Sequence, residues 1–130
     1  MSMSQNEVTT PTHSGSTRVA VIGCGYWGRN LVRCFSELEV LAAVVDADEA
    51  TGQKMAEQYG CSFMSFEQVL EDSSIDAVAI AVPAVAHAEV AERCLMADKH
   101  VFVEKPLALE VRDGSKVVEV AKERGLTLMV

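Results

Sequence analysis

The sequence predicts a doubly wound α/β fold, in which helices cover both faces of a parallel sheet. Short apolar runs alternate with segments of helical periodicity along the chain, which is the pattern of repeated βαβ units. Apolar residues make up 49% of the sequence and aromatic residues only 5%, a composition typical of a Val- and Ala-rich sheet that is buried on both sides. Right-handed crossovers then give about six strands in the order 3-2-1-4-5-6.

The first βαβ unit contains the motif around which the rest of the chain is organised. Residues 18–22 are predicted to form a buried strand, which runs into a G-x-G-x-x-G turn at Gly23, Gly25 and Gly28. In such a turn the first glycine bends the chain, the second admits a pyrophosphate, and the third brings the next helix close to the sheet. That helix is predicted to bury three apolar residues at helical spacing, Leu31, Phe35 and Leu38.

The second strand covers residues 41–45 and ends at Asp46, the acidic residue that the motif requires roughly 20 positions after the glycines. Asp48 is placed to cap a helix that ends before Gly60. A short strand at 61–64 follows, and Ser65 with Gln68 forms a capping-box pattern at the start of a helix through Leu70.

The second half of the chain continues the alternation. Residues 75–82 form the most continuous apolar run, so we expect this strand to be central, and Pro83 ends it because proline cannot donate to a ladder. The remaining elements are predicted as a helix at 87–97, a strand at 100–103, a helix at 110–124 and a strand at 126–130.

Composition excludes several classes of protein. A net charge of −8 without a basic stripe argues against nucleic-acid binding. No apolar run reaches the roughly 18 residues of a membrane span, and the N-terminus lacks the pattern of a signal peptide. The four cysteines form no C-x-x-C pair, so we expect mostly buried thiols in the cytoplasm and no metal site. Residues 1–17 are polar, and we expect a disordered tail before a domain at 18–130.

In an open parallel sheet the ligand binds outside the carboxyl ends of the strands. Four features of the sequence fall at that edge, namely the glycine turn, Asp46, residues 82–87 and residues 104–106. The residues predicted to contact a nicotinamide dinucleotide are Gly23, Gly25, Tyr26, Trp27, Gly28, Asp46, Val82, Pro83, His87, Glu104 and Lys105.

Asp46 indicates NAD rather than NADP, because a carboxylate accepts hydrogen bonds from the ribose hydroxyls and repels a 2′-phosphate. Lys105 is the predicted catalytic residue, since a lysine in a closed cleft can accept the proton of a hydroxyl that loses a hydride. Each assignment has a structural alternative. Lys105 and Glu104 could simply face water, His87 could be satisfied by nearby backbone, and the rings of Tyr26 and Trp27 could only wall the cleft.

Three stretches of the chain, at 19–28, 82–87 and 99–108, resemble the N-terminal Rossmann domain of the Gfo/Idh/MocA oxidoreductases. The resemblance extends over residues 18–130, and the E-K-P segment is its most specific part. It implies an NAD(P)-dependent oxidoreductase acting on a secondary hydroxyl of a sugar, cyclitol or nucleotide sugar. It also implies a catalytic or substrate-orienting role for Lys105 and places Pro83 and His87 near the nicotinamide. Val82 departs from the family pattern, in which threonine is common there.

Members of this family carry a second, α+β domain after the sixth strand, and this chain ends at Val130. We therefore expect that the substrate domain is absent from the chain, that the isolated chain binds NAD with little turnover, and that its exposed apolar surface favours self-association. A sugar-type substrate would bind only together with a second domain. The alternative function is a stand-alone NAD-binding module, a sensor or interaction protein without catalysis, although such a module has no need of Lys105.

Overall fold

Six parallel strands form a single sheet in the computed structural model, which describes residues 17–130. The predicted tail therefore lies, except for Thr17, outside the described residues. In chain order the strands are β1 (Val19–Ile22), β2 (Leu41–Val45), β3 (Ser62–Phe63), β4 (Ala77–Ile80), β5 (His100–Val103) and β6 (Leu128–Met129). Their spatial order is β3-β2-β1-β4-β5-β6, which confirms the predicted doubly wound topology and the central position of β4.

Five helices and one short 3₁₀ turn connect the strands. They are α1 (Tyr26–Glu37), α2 (Glu49–Tyr59), α3 (Phe66–Glu71), the 3₁₀ turn Ala84–Ala86, α4 (His87–Met96) and α5 (Val111–Arg124). Helices α1 and α2 cover one face of the sheet, where Val32 and Ala56 pack against β1 and β2. Helices α3, α4 and α5 cover the other face through a larger apolar cluster that includes Val69, Leu95 and Val117.

Local signals in the sequence determine where several helices begin and end. Ser65 and Gln68 form the predicted capping box, in which each side chain binds the other residue's backbone N–H. Helices α2 and α5 end at Gly60 and Gly125, both in the left-handed conformation. Asp48 lies at the N-cap of α2 as predicted, but its carboxylate accepts a hydrogen bond from the Thr51 hydroxyl at 2.6 Å and caps no backbone N–H.

Three details of the prediction are wrong. The central strand is shorter than residues 75–82, because Ile75 closes a turn with Asp72 and the ladder with β1 ends at the hydrogen bond that Ala81 donates to Ile22. Leu38 is 67% exposed, since α1 ends one residue earlier and the next residue, Glu39, has a positive φ. Only two of the four thiols, those of Cys24 and Cys94, are buried, while Cys34 is exposed.

Candidate dinucleotide site

The carboxyl ends of the four central strands are aligned in register. Ile22 pairs with Val45 on one side and with Ile80 on the other, and Ile80 pairs in turn with Val103. The residues that follow these four positions therefore leave the sheet side by side. They are Gly23, Asp46, Ala81 and Glu104. The register thus brings all four predicted features to one edge of the sheet.

The glycine turn is packed tightly between helix α1 and the end of β4. Gly23 has a φ of +98°, and a Cβ placed there would lie 2.7 Å from the carbonyl oxygen of Ala81. A Cβ on Gly28 would overlap the carbonyl oxygen of Gly23. Backbone atoms form both contacts, so no side chain can move away to make room. Glycine at these two positions brings the start of α1 down onto the turn, as the motif predicts.

The N-terminus of α1 forms a cradle that fits an anion. Gly25 is the N-cap, no side chain accepts a hydrogen bond from the first turn, and the first turn contains no acidic residue. The backbone N–H groups of that turn and the positive end of the helix dipole are therefore available to a phosphate. A Cβ on Gly25 would meet no atom within 4 Å, which is the open space that a pyrophosphate needs.

Tyr26 and Trp27 begin α1 and are largely exposed, at 74% and 60%. Their rings pack edge to face with centroids 5.7 Å apart. Trp27 also lines the cleft described below, whereas Tyr26 lies outside it. The two rings therefore form a wall beside the anion cradle, and the predicted contacts of these residues with a cofactor are those of their backbone N–H groups.

Asp46 binds the glycine turn directly, a role that its position in the sequence does not reveal. Its Oδ2 accepts a hydrogen bond from the backbone N–H of Cys24 at 2.7 Å, and its Oδ1 accepts one from the N–H of Asp48 at 2.8 Å. Asp46 is half-buried, and each oxygen retains a lone pair for a further donor such as a ribose hydroxyl. Burial and the nearby Asp46 carboxylate raise the pKa of the Cys24 thiol to about 11, so the thiol beside the turn is uncharged at neutral pH.

A cleft of about 350 Å³ opens beside the glycine turn, and it brings together residues from three separate segments. It is lined by Trp27, Ala81, Val82, Ala84, His87, Glu104 and Lys105. Lys105 is exposed and Glu104 is half-buried. Lys105 forms no ion pair with any carboxylate of residues 17–130, so its ammonium group is available to a ligand. Of the remaining predicted residues, Pro83 is exposed, and it follows Val82 without lining the cleft itself.

Sequence reasoning did not single out Ala81, although it lines the cleft and contacts Gly23. The available signal was its place one residue after the aligned end of β4. His87 lies where the sequence predicted, but its ring is only 3% exposed and both of its nitrogens face backbone carbonyl oxygens. Its predicted contact with a cofactor stays a prediction, and neither ring nitrogen is free to make that contact in this structure.

Residues 17–130 contain neither a metal-binding cluster nor a membrane-spanning helix. No three His, Cys, Asp or Glu side chains of this region converge on a point where a metal ion could bind. None of its helices combines the length and the apolar character that crossing a bilayer requires.

The parallel sheet, the glycine cradle at a helix N-terminus and the acidic residue after β2 together define a dinucleotide-binding Rossmann domain. A family model described as "Oxidoreductase family, NAD-binding Rossmann fold" matches residues 17–130. The chain belongs to this family, the Gfo/Idh/MocA oxidoreductases, as the resemblance in its sequence indicates.

Curated relatives and solved structures agree with this assignment. The chain is 36% identical over 123 residues to dTDP-3,4-didehydro-2,6-dideoxy-alpha-D-glucose 3-reductase of Actinomadura kijaniata, a match covering 92% of this chain and 37% of the relative. It is 32% identical over 114 residues to UDP-N-acetylglucosamine 3-dehydrogenase of Acidithiobacillus ferrooxidans, covering 87% and 36%. A crystal structure of a 3-ketoreductase from Actinomadura kijaniata with NADP and TDP-benzene superposes with a TM-score of 0.83 at 32% identity, covering 88% and 37%. The chain thus spans little more than a third of the length of these relatives.

Proposed function

We propose that this chain is the nucleotide-binding part of an NAD-dependent oxidoreductase that acts on a secondary hydroxyl of a sugar, cyclitol or nucleotide sugar, with Lys105 as its catalytic residue. The observation that carries the proposal is the convergence of Trp27, Glu104 and Lys105 on one cleft beside the glycine cradle. The relatives that reduce or oxidise nucleotide sugars support the substrate class. In the isolated chain we expect binding of NAD with little turnover.

The carboxylates beside the glycine turn support NAD as the preferred cofactor. Asp46 offers a lone pair on each oxygen, and Asp48 is exposed two residues further on. A 2′-phosphate on the ribose would bring its negative charge against both groups. One solved relative is in complex with NADP. A direct comparison of NAD and NADP binding by this chain must therefore decide the cofactor preference.

Each part of the site has a defined task in the proposed reaction. The N–H groups at the start of α1 hold the pyrophosphate, and Asp46 holds the adenosine ribose. NAD bound there supplies the hydride acceptor. Lys105 accepts the proton of the substrate hydroxyl in the oxidative direction and donates a proton to the carbonyl oxygen in the reductive direction. Its exposure on the open side of the cleft allows it to reach a substrate that is held by a second domain.

The binding part of the proposal is tested by calorimetric titration of the chain with NAD and, separately, with NADP. We expect NAD to bind more tightly, and Asp46→Ala to weaken its binding by about ten-fold or more, since hydrogen bonds to charged groups contribute about 1.5–3 kcal/mol. Asp76→Ala is the matched control, because that carboxylate also accepts a backbone N–H, from Arg18 at 2.8 Å, but at the opposite edge of the sheet. Equal binding of NADP would contradict the cofactor assignment.

The catalytic part is tested in a full-length enzyme that contains this domain. We expect Lys105→Met to lower turnover of the sugar substrate by about 10²-fold or more while NAD affinity stays within about three-fold, because the proton transfer is lost and the nucleotide contacts remain. Lys122→Met replaces an exposed lysine of α5, away from the cleft, and should leave turnover unchanged. Full activity of Lys105→Met would refute the catalytic role, and NAD binding without any turnover would favour the stand-alone module.

A further inference from the structure

His87 is one of two buried polar or charged residues in residues 17–130, and it joins two segments of the candidate site. Its Nε2 lies 2.8 Å from the carbonyl oxygen of Val82, and its Nδ1 lies 2.7 Å from the carbonyl oxygen of Pro106. Both partners are acceptors, and Pro106 is 19 positions away in the sequence. The ring therefore bridges the chain that leaves β4 and the loop that leaves β5.

The ring ties the two segments together through these contacts. An imidazole ring donates a hydrogen bond from a protonated nitrogen, and each of the two nitrogens of His87 has one backbone carbonyl oxygen within 3 Å. Because the ring is buried, no water competes for these contacts, and the side chain packs against both carbonyl groups.

The bridged carbonyls belong to the two halves of the cleft. Val82 follows Ala81, whose carbonyl group packs against Gly23 of the glycine turn. Pro106 follows Lys105 directly. We propose that His87 is a positioning residue whose buried ring clamps the Lys105 loop to the segment that supports the glycine turn. The consequence of the clamp, that Lys105 is held beside the cofactor site, rests on the proposed function. The clamp itself exists without a bound ligand.

Hydrogen exchange tests the positioning role. The Glu104 N–H donates to Ile80 at 3.2 Å, in the last ladder bond before the Lys105 loop. We expect His87→Phe to accelerate exchange of the Glu104 amide by about ten-fold or more beyond any change at Ala79, which is fully buried in the central strand β4 and reports global stability. His100→Phe is the matched control and should change the two amides alike. If His87→Phe does not fold, His87→Gln, which retains a donor group, replaces it in the same comparison.

Equal acceleration of exchange at Glu104 and Ala79 would mean that His87 contributes only to global stability, and this result would overturn the proposal. The NAD titration described above is a separate readout. A chain that shows the clamp but binds no NAD would contradict the proposed function and leave the clamp intact. A chain that binds NAD but whose Glu104 and Ala79 amides respond alike to His87→Phe would do the reverse.

Discussion

Two glycines of the same turn should respond in opposite ways to the addition of a methyl group. Gly28→Ala places a Cβ onto the carbonyl oxygen of Gly23, and backbone lies on both sides of that contact. Overpacking costs about 1–3 kcal/mol, and we expect about 3 kcal/mol here because neither side can rotate away. For a domain of this size each kcal/mol lowers Tm by about 4 °C, so Tm should fall by about 12 °C.

Gly25→Ala should leave stability almost unchanged. Its added Cβ would meet no atom within 4 Å, and its φ of −75° and ψ of −150° are accessible to alanine. The lower entropy of the unfolded chain favours alanine by about 0.4–1 kcal/mol, and the poorer N-cap offsets a similar amount. NAD affinity should nevertheless fall by about ten-fold or more, because the methyl group occupies the space through which a phosphate reaches the N–H groups.

Urea unfolding of the two variants measures the stability difference, and calorimetry with NAD measures the difference in binding. The reasoning is refuted if Gly28→Ala is as stable as the parent chain. It is also refuted if Gly25→Ala binds NAD with unchanged affinity, because the open space above Gly25 would then not be the site of the pyrophosphate.

Three further predictions concern groups away from the cleft. A thiol reagent at about pH 8 should label the exposed Cys34 before the buried Cys94. The reason is that burial raises the pKa of the Cys94 thiol to about 12 and keeps that thiol protonated. Mass spectrometry before and after unfolding checks the order of labelling. Hydrogen bonds from Ser74 lower the pKa of Asp72 below its ordinary 3.8. The contribution of Asp72 to stability is therefore present above pH 3.8 and is lost as the pH falls through the lowered pKa. An NMR titration of Ser74→Ala should show a higher pKa for Asp72 than in the parent chain. Lys99→Met should cost about 2 kcal/mol in urea unfolding, because it removes the buried ammonium that donates to two carbonyls of the turn before β4.

The order of the strands could be predicted because it depends on local patterns. Strands β2 and β5 begin and end at the predicted residues, and Asp46 and Glu104 mark their carboxyl ends in the sequence. The central run of 75–82 is bounded in the sequence by Ser74 and Pro83, yet the paired strand is shorter than this run. Asp76 and Ala77 both donate to the Arg18 carbonyl at one end, and the Val82 carbonyl faces His87 at the other. These non-local partners determine where pairing stops, and periodicity carries no information about them.

In the candidate site, too, the positions of residues could be predicted from local sequence, whereas their non-local contacts could not. The glycines, Asp46 and Lys105 could be located because their place in the motif or at a strand end determines their position. The second partner of His87 could not be foreseen, because Pro106 reaches it only after β5 has paired with β4. The burial of Lys99 is likewise a tertiary effect, since its carbonyl partners lie 24 and 27 residues away. Sequence patterns locate the groups at a sheet edge, but the contacts between loops depend on the assembled fold.

The double attachment of Asp46 limits how cofactor preference can be re-engineered or can drift during evolution. One of its oxygens binds the Cys24 N–H and the other binds the Asp48 N–H. Replacement of Asp46 by a residue that can bind a 2′-phosphate would therefore also remove the hydrogen bond to the glycine turn. The variant would lose affinity for both NAD and NADP. The accessible route to NADP use leaves Asp46 in place and introduces a basic side chain at Ala47 or Asp48, which are exposed and free to vary without disturbing the turn.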